Sequence, residues 1–265
     1  MKKVLRAVLF LAVAAALVAV PAQAQMKLDF SLFGGYGFNM SFASTVTTTS
    51  AFSSGTAGYW DAWQPFFHDP VLELKAGPSF GGRVTLWFTP MIGFEGSFEY
   101  SLAKPRFNEV NVADLEAQMD DIGYTSYFTI TPEGGHLMKF YGNIIFNLMP
   151  SAQFSPYLTA GIGSTSYTIE PAINITHSGY SELMNLSYDN ASALTFNGGA
   201  GFNYWFSPMI GLRVDARMFF ASPKFLQNYD YKIFGSVDWP TDNYVTQSGS
   251  HMDAVITVGL VIRVM

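Results

Sequence analysis

The segment Trp87-Phe-Thr-Pro-Met-Ile-Gly-Phe-Glu95 recurs as Trp205-Phe-Ser-Pro-Met-Ile-Gly-Leu-Arg213. Each copy reads as the end of one strand, a tight turn and the start of the next. A repeated hairpin of this kind points to an up-and-down β architecture in which one turn design is used more than once.

The first segment is for targeting. Lys2, Lys3 and Arg6 precede an apolar run from Ala7 to Val20, and Ala22-Gln23-Ala24 supplies a small-residue cleavage pattern. This predicts a secretory signal peptide over 1–24, cut before Gln25, and a mature domain over 25–265. The run is short for a membrane-spanning helix. The chain has no cysteine, so no lipid-attachment cysteine follows the leader and disulfides are excluded.

Charged residues are 13% of the chain and aromatics 16%, which is few charges for a surface in water. No second run of about 20 apolar residues follows the leader, so no transmembrane helix is predicted. An apolar, exported, helix-poor chain can still live in a membrane by closing a barrel, which satisfies every backbone group between strands.

Eight strands are predicted, at about 27–40, 78–88, 91–102, 136–149, 155–167, 193–206, 209–221 and 253–265. Thr89-Pro90, Pro150-Ser151-Ala152 and Ser207-Pro208 mark three short connections, and the other four are long. Short periplasmic turns alternating with long outer loops are the pattern of an outer-membrane barrel.

Side chains alternate with period two inside these strands. Ile256, Val258, Leu260, Ile262 and Val264 oppose Asp253, Thr257, Gly259 and Arg263. Ile210, Leu212, Val214, Ala216 and Met218 oppose Arg213, Asp215 and Arg217. The alternation alone leaves open which face points inward, because a lipocalin-like soluble barrel would put the apolar set inside. The charges decide. The strands hold six basic residues (Lys27, Arg83, Lys139, Arg213, Arg217, Arg263) and five acidic ones (Asp29, Glu95, Glu99, Asp215, Asp253). That near-balance suits a closed interior that pairs its charges. A charge on the lipid face at mid-bilayer would cost roughly 2–4 kcal/mol. Trp87, Phe88, Trp205 and Phe206 stand just before the two Pro turns, where a periplasmic aromatic girdle is expected.

Ser155-Pro-Tyr-Leu-Thr-Ala-Gly-Ile-Gly163, Asn197-Gly-Gly-Ala-Gly-Phe-Asn203 and Ile210-Gly-Leu-Arg-Val-Asp-Ala-Arg217 together resemble the small eight-stranded outer-membrane barrel superfamily, of the OmpA, OmpW and opacity-protein type. The resemblance covers nearly the whole mature chain. It implies an all-β fold, an eight-stranded antiparallel up-and-down transmembrane β-barrel with four long outer loops and three short periplasmic turns. It also implies an insertion signal on the last strand. Thr257-x-Gly259-x-x-Ile262-x-Val264 keeps the spacing, but Met265 stands where the superfamily usually ends on Phe or Trp. A peptidoglycan-binding domain of the OmpA kind is not expected after the barrel.

The candidate site is the interior charge set Arg83, Glu95, Glu99, Lys139, Arg213, Asp215 and Arg217. It reads either as a salt-bridge core filling a lumen wide enough only for side chains, or as a gated narrow path; the first is favoured on lumen width. Trp87, Trp205, Tyr141 and Phe219 would help fill the same space, or line an OmpW-like path for a small hydrophobic ligand. Catalytic residues are not expected. His68, His136, His177 and His251 lack the His-x-Ser-Asn arrangement of lipid-modifying barrels, and an omptin-type protease would need about ten strands. Gly34-Gly-Tyr-Gly37 and Gly198-Gly-Ala-Gly201 sit within strands and are not phosphate loops; they would relieve crowding in the lumen. Neither a metal nor any other cofactor is expected.

After removal of the leader's three basic residues the chain keeps 20 acidic residues against 11 basic, from 20 and 14 in the whole sequence. The acidic excess falls on the loops. One loop carries Glu109, Asp114, Glu116, Asp120, Asp121 and Glu133 against Lys104 and Arg106, with a short helix predicted from Asn111 to Met119. Nucleic acid is not an expected partner. The expected partners are outer-membrane lipid and lipopolysaccharide, the barrel-assembly machinery and a surface ligand, for a monomeric protein. Asn174, Asn185 and Asn190 head glycosylation-like sequons that read as polar loop. Two roles stay open at this point: a structural or surface-interaction role through acidic loops, and a narrow channel for small solutes or hydrophobic molecules.

Overall fold

Strand formation follows from the alternation and from the β-branched and aromatic content of each segment. The computed structural model describes residues 26–47, 72–107, 117, 126–130, 134–150, 152–170, 172–177, 180–231 and 244–264. Eight strands form a closed antiparallel barrel: β1 (Lys27–Thr47), β3 (Gly77–Trp87), β4 (Ile92–Ser101), β7 (Gly135–Asn147), β8 (Phe154–Ile169), β11 (Ala191–Trp205), β12 (Ile210–Ala221) and β14 (Tyr244–Val264). Each pairs with the next barrel strand along the chain, and β1 pairs with β14 from Leu28↔Val264 to Thr47↔Thr246 to close the ring. Closure leaves no open edge at membrane depth.

The eight strands begin and end within a few residues of the sequence expectation, except that β1 and β14 run on past the barrel. Six further strands were not expected: β2 (Leu72–Leu74), β5 (Pro105–Phe107), β6 (Ser126–Ile130), β9 (Ala172–His177), β10 (Tyr180–Tyr188) and β13 (Lys224–Tyr231). β2 and β5 pair only with each other. The remaining four continue the sheet beyond β14 in the order β13, β10, β9, β6. The switch occurs on β14. Its lower part pairs with β12 as far as Ala221↔His251, and its upper part pairs with β13 from Lys224↔Ser248. Segments expected as irregular loop therefore carry a sheet outside the barrel. The leader, Met265, His68 and the acidic residues Glu109, Asp114, Glu116, Asp120, Asp121 and Glu133 lie outside the described residues, as does nearly all of the helix expected from Asn111 to Met119.

The two repeat copies build the same turn. Phe88 and Thr89 N–H both donate to the Ile92 carbonyl, at 3.1 and 3.2 Å, and Phe206 and Ser207 N–H donate to that of Ile210, at 3.0 and 3.1 Å. The Thr89 hydroxyl accepts from Met91 N–H (3.2 Å) and Ile92 N–H (2.9 Å), and Ser207 does the same for Met209 (3.3 Å) and Ile210 (3.0 Å). This is a side-chain-capped turn, the reason the repeat keeps a hydroxyl at that position.

The outward set is apolar. Leu32, Phe94, Phe140, Ile144, Leu158, Phe196 and Leu260 are all exposed. An apolar band on this scale around a closed barrel requires lipid as its solvent. The hydrophilic residues lie inside, inverted from a soluble protein.

Candidate functional site: a paired-charge lumen

Inward positions on the barrel strands carry mostly polar, charged or aromatic side chains, with a few aliphatic ones such as Ile145, Val255 and Val261 among them. All seven residues of the predicted charge set, Arg83, Glu95, Glu99, Lys139, Arg213, Asp215 and Arg217, are buried in the lumen. They fall into tiers along the barrel axis.

The middle tier centres on Glu95, which is 0% exposed. Its carboxylate meets Arg213 Nη1 at 2.7 Å and Arg217 Nη2 at 2.7 Å. It also accepts hydrogen bonds from Thr85 and Ser97 hydroxyls and the Asn143 amide, at 3.2, 3.1 and 3.2 Å. Asp215 lies beside it, with Arg217 Nε at 2.5 Å, Arg213 Nη2 at 3.5 Å and Arg83 Nη2 at 3.7 Å. The Tyr157 hydroxyl donates to Asp215 and accepts from Arg213 Nε at 2.7 Å. Arg83 Nη2 also donates to Thr257 (3.1 Å), and its guanidinium lies 3.9 Å from the Phe33 ring centre. Two carboxylates are thus shared among three guanidinium groups, each with further hydrogen-bonding or ring partners.

The upper tier is built on Lys139. Its ammonium meets Asp253 Oδ2 at 2.6 Å and Glu99 Oε1 at 3.2 Å, and stands 4.0 Å from the Phe219 ring centre. Tyr141 donates to Glu99 at 3.4 Å and packs edge-on against Phe219. The lower tier is Asp29 and Arg263, joined by two 2.8 Å hydrogen bonds. A bidentate pair of this kind fixes both planes. Trp87 Nε1–H donates to Asp29 at 2.7 Å, and the Arg263 guanidinium lies 3.9 Å from a Trp205 ring centre.

Sequence reasoning counted Asp29, Asp253 and Arg263 among the strand charges but left them out of the site, and it missed Tyr157. Their inward parity was legible. Their pairing was not, because it depends on β1 closing against β14. With them the tiers hold five cations (Arg83, Lys139, Arg213, Arg217, Arg263) against five anions (Asp29, Glu95, Glu99, Asp215, Asp253), and each of the ten takes part in an ion pair. Balance of this kind is what a low-dielectric interior demands.

The expected aromatic girdle is corrected in part. Trp87 is 5% exposed and faces the lumen, held there by Asp29; Trp205 is half-buried beneath Arg263. Phe88 is half-buried. Phe206, 60% exposed and edge-on to Tyr204, occupies an outer position. Of the insertion-signal residues, Thr257 points inward to Arg83, Gly259 lies against Phe33, and Ile262 and Val264 face outward. The glycine clusters alternate in the same way. A Cβ on Gly35 would meet Thr257 Cγ2 at 2.8 Å and one on Gly199 would meet Arg217 Cγ at 2.9 Å, whereas Gly34 has open space around it. The inward glycines make room for the charge tiers.

The two rim histidines hold structural contacts. His251 Nδ1 and the Tyr167 hydroxyl are 2.8 Å apart, and His136 Nε2 is 3.3 Å from the Thr168 hydroxyl while its ring stacks on Tyr100. Among the described residues there is no group of three or more metal-ligating side chains.

A family model described as the outer membrane protein beta-barrel domain matches residues 10–235. No curated protein sequence matches. Among solved structures, the outer membrane protein OprG from Pseudomonas aeruginosa is similar over 91% of this chain and 98% of its own, with 11% identity and a TM-score of 0.53. A major outer membrane protein from Thermus thermophilus aligns over 89% and 99%, with 10% identity and a TM-score of 0.44. Neisserial surface protein A aligns over 87% and 95%, with 9% identity and a TM-score of 0.36. At these identities the OprG likeness bears on fold alone.

Proposed function

Because the chain belongs to the outer membrane protein beta-barrel domain family and so is a protein of the bacterial outer membrane, we propose that it is a closed, non-conducting and non-enzymatic barrel that presents a strand-built surface and acidic loops outside the cell. The observation that carries this reading is the central carboxylate. Glu95 is fully buried and held by Arg213 and Arg217. A permeating solute would have to separate these pairs, and breaking a buried ion pair costs about 3–5 kcal/mol. The sheet that β13, β10, β9 and β6 add to β14 gives the exterior a framework on which loop contacts can be made. Its partners on this reading are outer-membrane lipid and lipopolysaccharide around the wall, the barrel-assembly machinery during insertion, and a surface ligand at the loops. It works as a monomer and without a cofactor.

The runner-up is a narrow channel for small solutes or hydrophobic molecules. It draws on Asn197, whose amide nitrogen and oxygen both lack a protein partner, and on Thr159 Oγ1 and Asn203 Oδ1 in the same state. Such atoms are normally met by buried water.

The test is a pair of chains, the full protein and one in which residues 172–188 and 224–231 are replaced by short turns. Cells displaying each are assayed for adhesion to abiotic and protein-coated surfaces, and liposomes holding each are assayed for sugar-driven swelling. Adhesion lost with the outer sheet, and no swelling from the full protein, is the expected result. Swelling by the full protein with adhesion unchanged by the trimming would favour the channel.

A further inference from the structure

The barrel wall has a seam at the upper end of β12. That strand stops at Ala221, while β11 on one side begins higher, at Ala191, and β14 on the other continues upward. Pairing between β11 and β12 accordingly begins only at Thr195↔Ala221. Above that level the partner of β14 is β13, from Ser248 upward. A cavity of about 460 Å³ opens at this seam, lined by Leu194, Phe196, Phe220, Met252 and, toward the exterior, Ser222 and Ser250, with Ala221 and His251 at its back. Its size falls within the roughly 300–1,000 Å³ of small-ligand sites.

The lining has a direction. Leu194, Phe196 and Phe220 belong to the exposed outward set that meets lipid around the whole barrel. Ser222 and Ser250 lie one step beyond Ala221 and His251, farther from the periplasmic turns. From Ile210 to Phe220 along β12, at about 3.3 Å per residue and a tilt of about 40°, the wall climbs roughly 25 Å, the height of the apolar band. The cavity therefore sits at the outer boundary of the membrane, with its apolar end toward the lipid and its polar end toward water. His251 is 5% exposed and comes from the lumen-facing set, so it marks the inner limit of the cavity. The cavity goes no farther, because Tyr167 bonds His251 from within and packs edge-on against Phe225, both rings being 1% exposed.

We infer that this seam is a binding site for one acyl chain of an outer-leaflet membrane lipid, with the lipid's polar head at Ser222 and Ser250. Continuity with the lipid-facing wall selects the occupant. The closed back makes the seam a pocket that holds a chain and not a passage into the lumen. A bound lipid would bridge β11 to β14 where the strand ladder is interrupted.

The full protein is reconstituted in liposomes containing a phosphatidylethanolamine with a diazirine on one acyl chain, illuminated, and cross-linked peptides are mapped by mass spectrometry. The expected result is at least a fivefold enrichment of label on Leu194, Phe196, Phe220 or Met252 over Phe94 and Phe140 on another part of the wall. Ser250→Trp, which fills the mouth, should abolish the enrichment with the heat-modifiable gel shift of the folded barrel retained. If that variant does not fold, Leu194→Trp serves in its place and the unsubstituted protein still gives the ratio. Equal labelling around the wall would overturn the site and leave only a bulk lipid annulus. Label on Tyr167 or Phe225 would overturn the closed back and indicate passage.

Discussion

The Trp87 indole packs over the α-carbon of Gly93 across the β3–β4 turn, so closely that a Cβ on the glycine would sit 2.9 Å from ring Cε3. Trp205 stands in the same relation to Gly211, at 3.0 Å. The repeat in the sequence is therefore a structural unit: a tryptophan, a hydroxyl that caps the turn and a glycine that leaves the ring its place. Gly93→Ala should displace Trp87 and weaken its hydrogen bond to Asp29, at a cost of about 1–3 kcal/mol. Gly96→Ala, three residues on and with nothing within 4 Å, should be close to neutral. Urea unfolding of the barrel in vesicles, followed by tryptophan fluorescence, checks both.

The turn hydroxyls make a sharper prediction. Thr89→Ser and Ser207→Thr should leave stability unchanged, since each copy already uses the other's residue. Thr89→Val keeps the shape and removes the acceptor for Met91 and Ile92 N–H. It should cost about 0.5–1.5 kcal/mol in the same unfolding measurement, because the turn is exposed and water partly replaces the bond.

Lys139 joins Glu99 and Asp253 in the upper tier, its ammonium within ion-pair distance of both carboxylates. Lys139→Met should destabilise the barrel by about 3–5 kcal/mol by leaving two buried carboxylates without it. Adding Glu99→Gln and Asp253→Asn should recover most of the loss. A triple variant no more stable than the single one would show that the Lys139 stem, and not its charge, is what matters.

The lipid face is tested at Leu260, which is 58% exposed on β14. Leu260→Arg should cost roughly 2–4 kcal/mol in a bilayer. The same change in a water-facing residue would be nearly silent, so a neutral result would contradict the inverted arrangement of the wall.

The membrane part of the fold was legible because lipid imposes a strict rule. Every second residue of a spanning strand must be apolar, so Ile256 to Val264 and Ile210 to Met218 announce both strand and face. Beyond the bilayer the rule lapses. The upper parts of β1 and β14, Ser41 to Thr47 and Tyr244 to Ser250, carry no such alternation, so the sequence reads as loop. β9 does alternate at Ile173 and Ile175, but six residues give a weak signal, and its partners β10 and β6 are not strands of the up-and-down barrel. Trp87 carried two readings in the sequence, girdle and lumen filler, and the lumen is where it lies. Its position next to the turn suggested the outer girdle, while its parity with Arg83 and Thr85 placed it inside, and parity governs which face a strand residue takes. The site's centre was legible as a set of residues but not as a set of bonds. That Arg217 reaches Glu95 across the barrel is a consequence of closure.

Single-channel recording of the refolded mature chain in planar bilayers tests the filled lumen most directly. With ten charges paired across three tiers, a correctly folded barrel should carry no resolvable current across the physiological voltage range. Discrete, reproducible conductance steps that change in size with Glu95→Gln or Arg213→Met would contradict a closed lumen and make the same residues the walls of a channel.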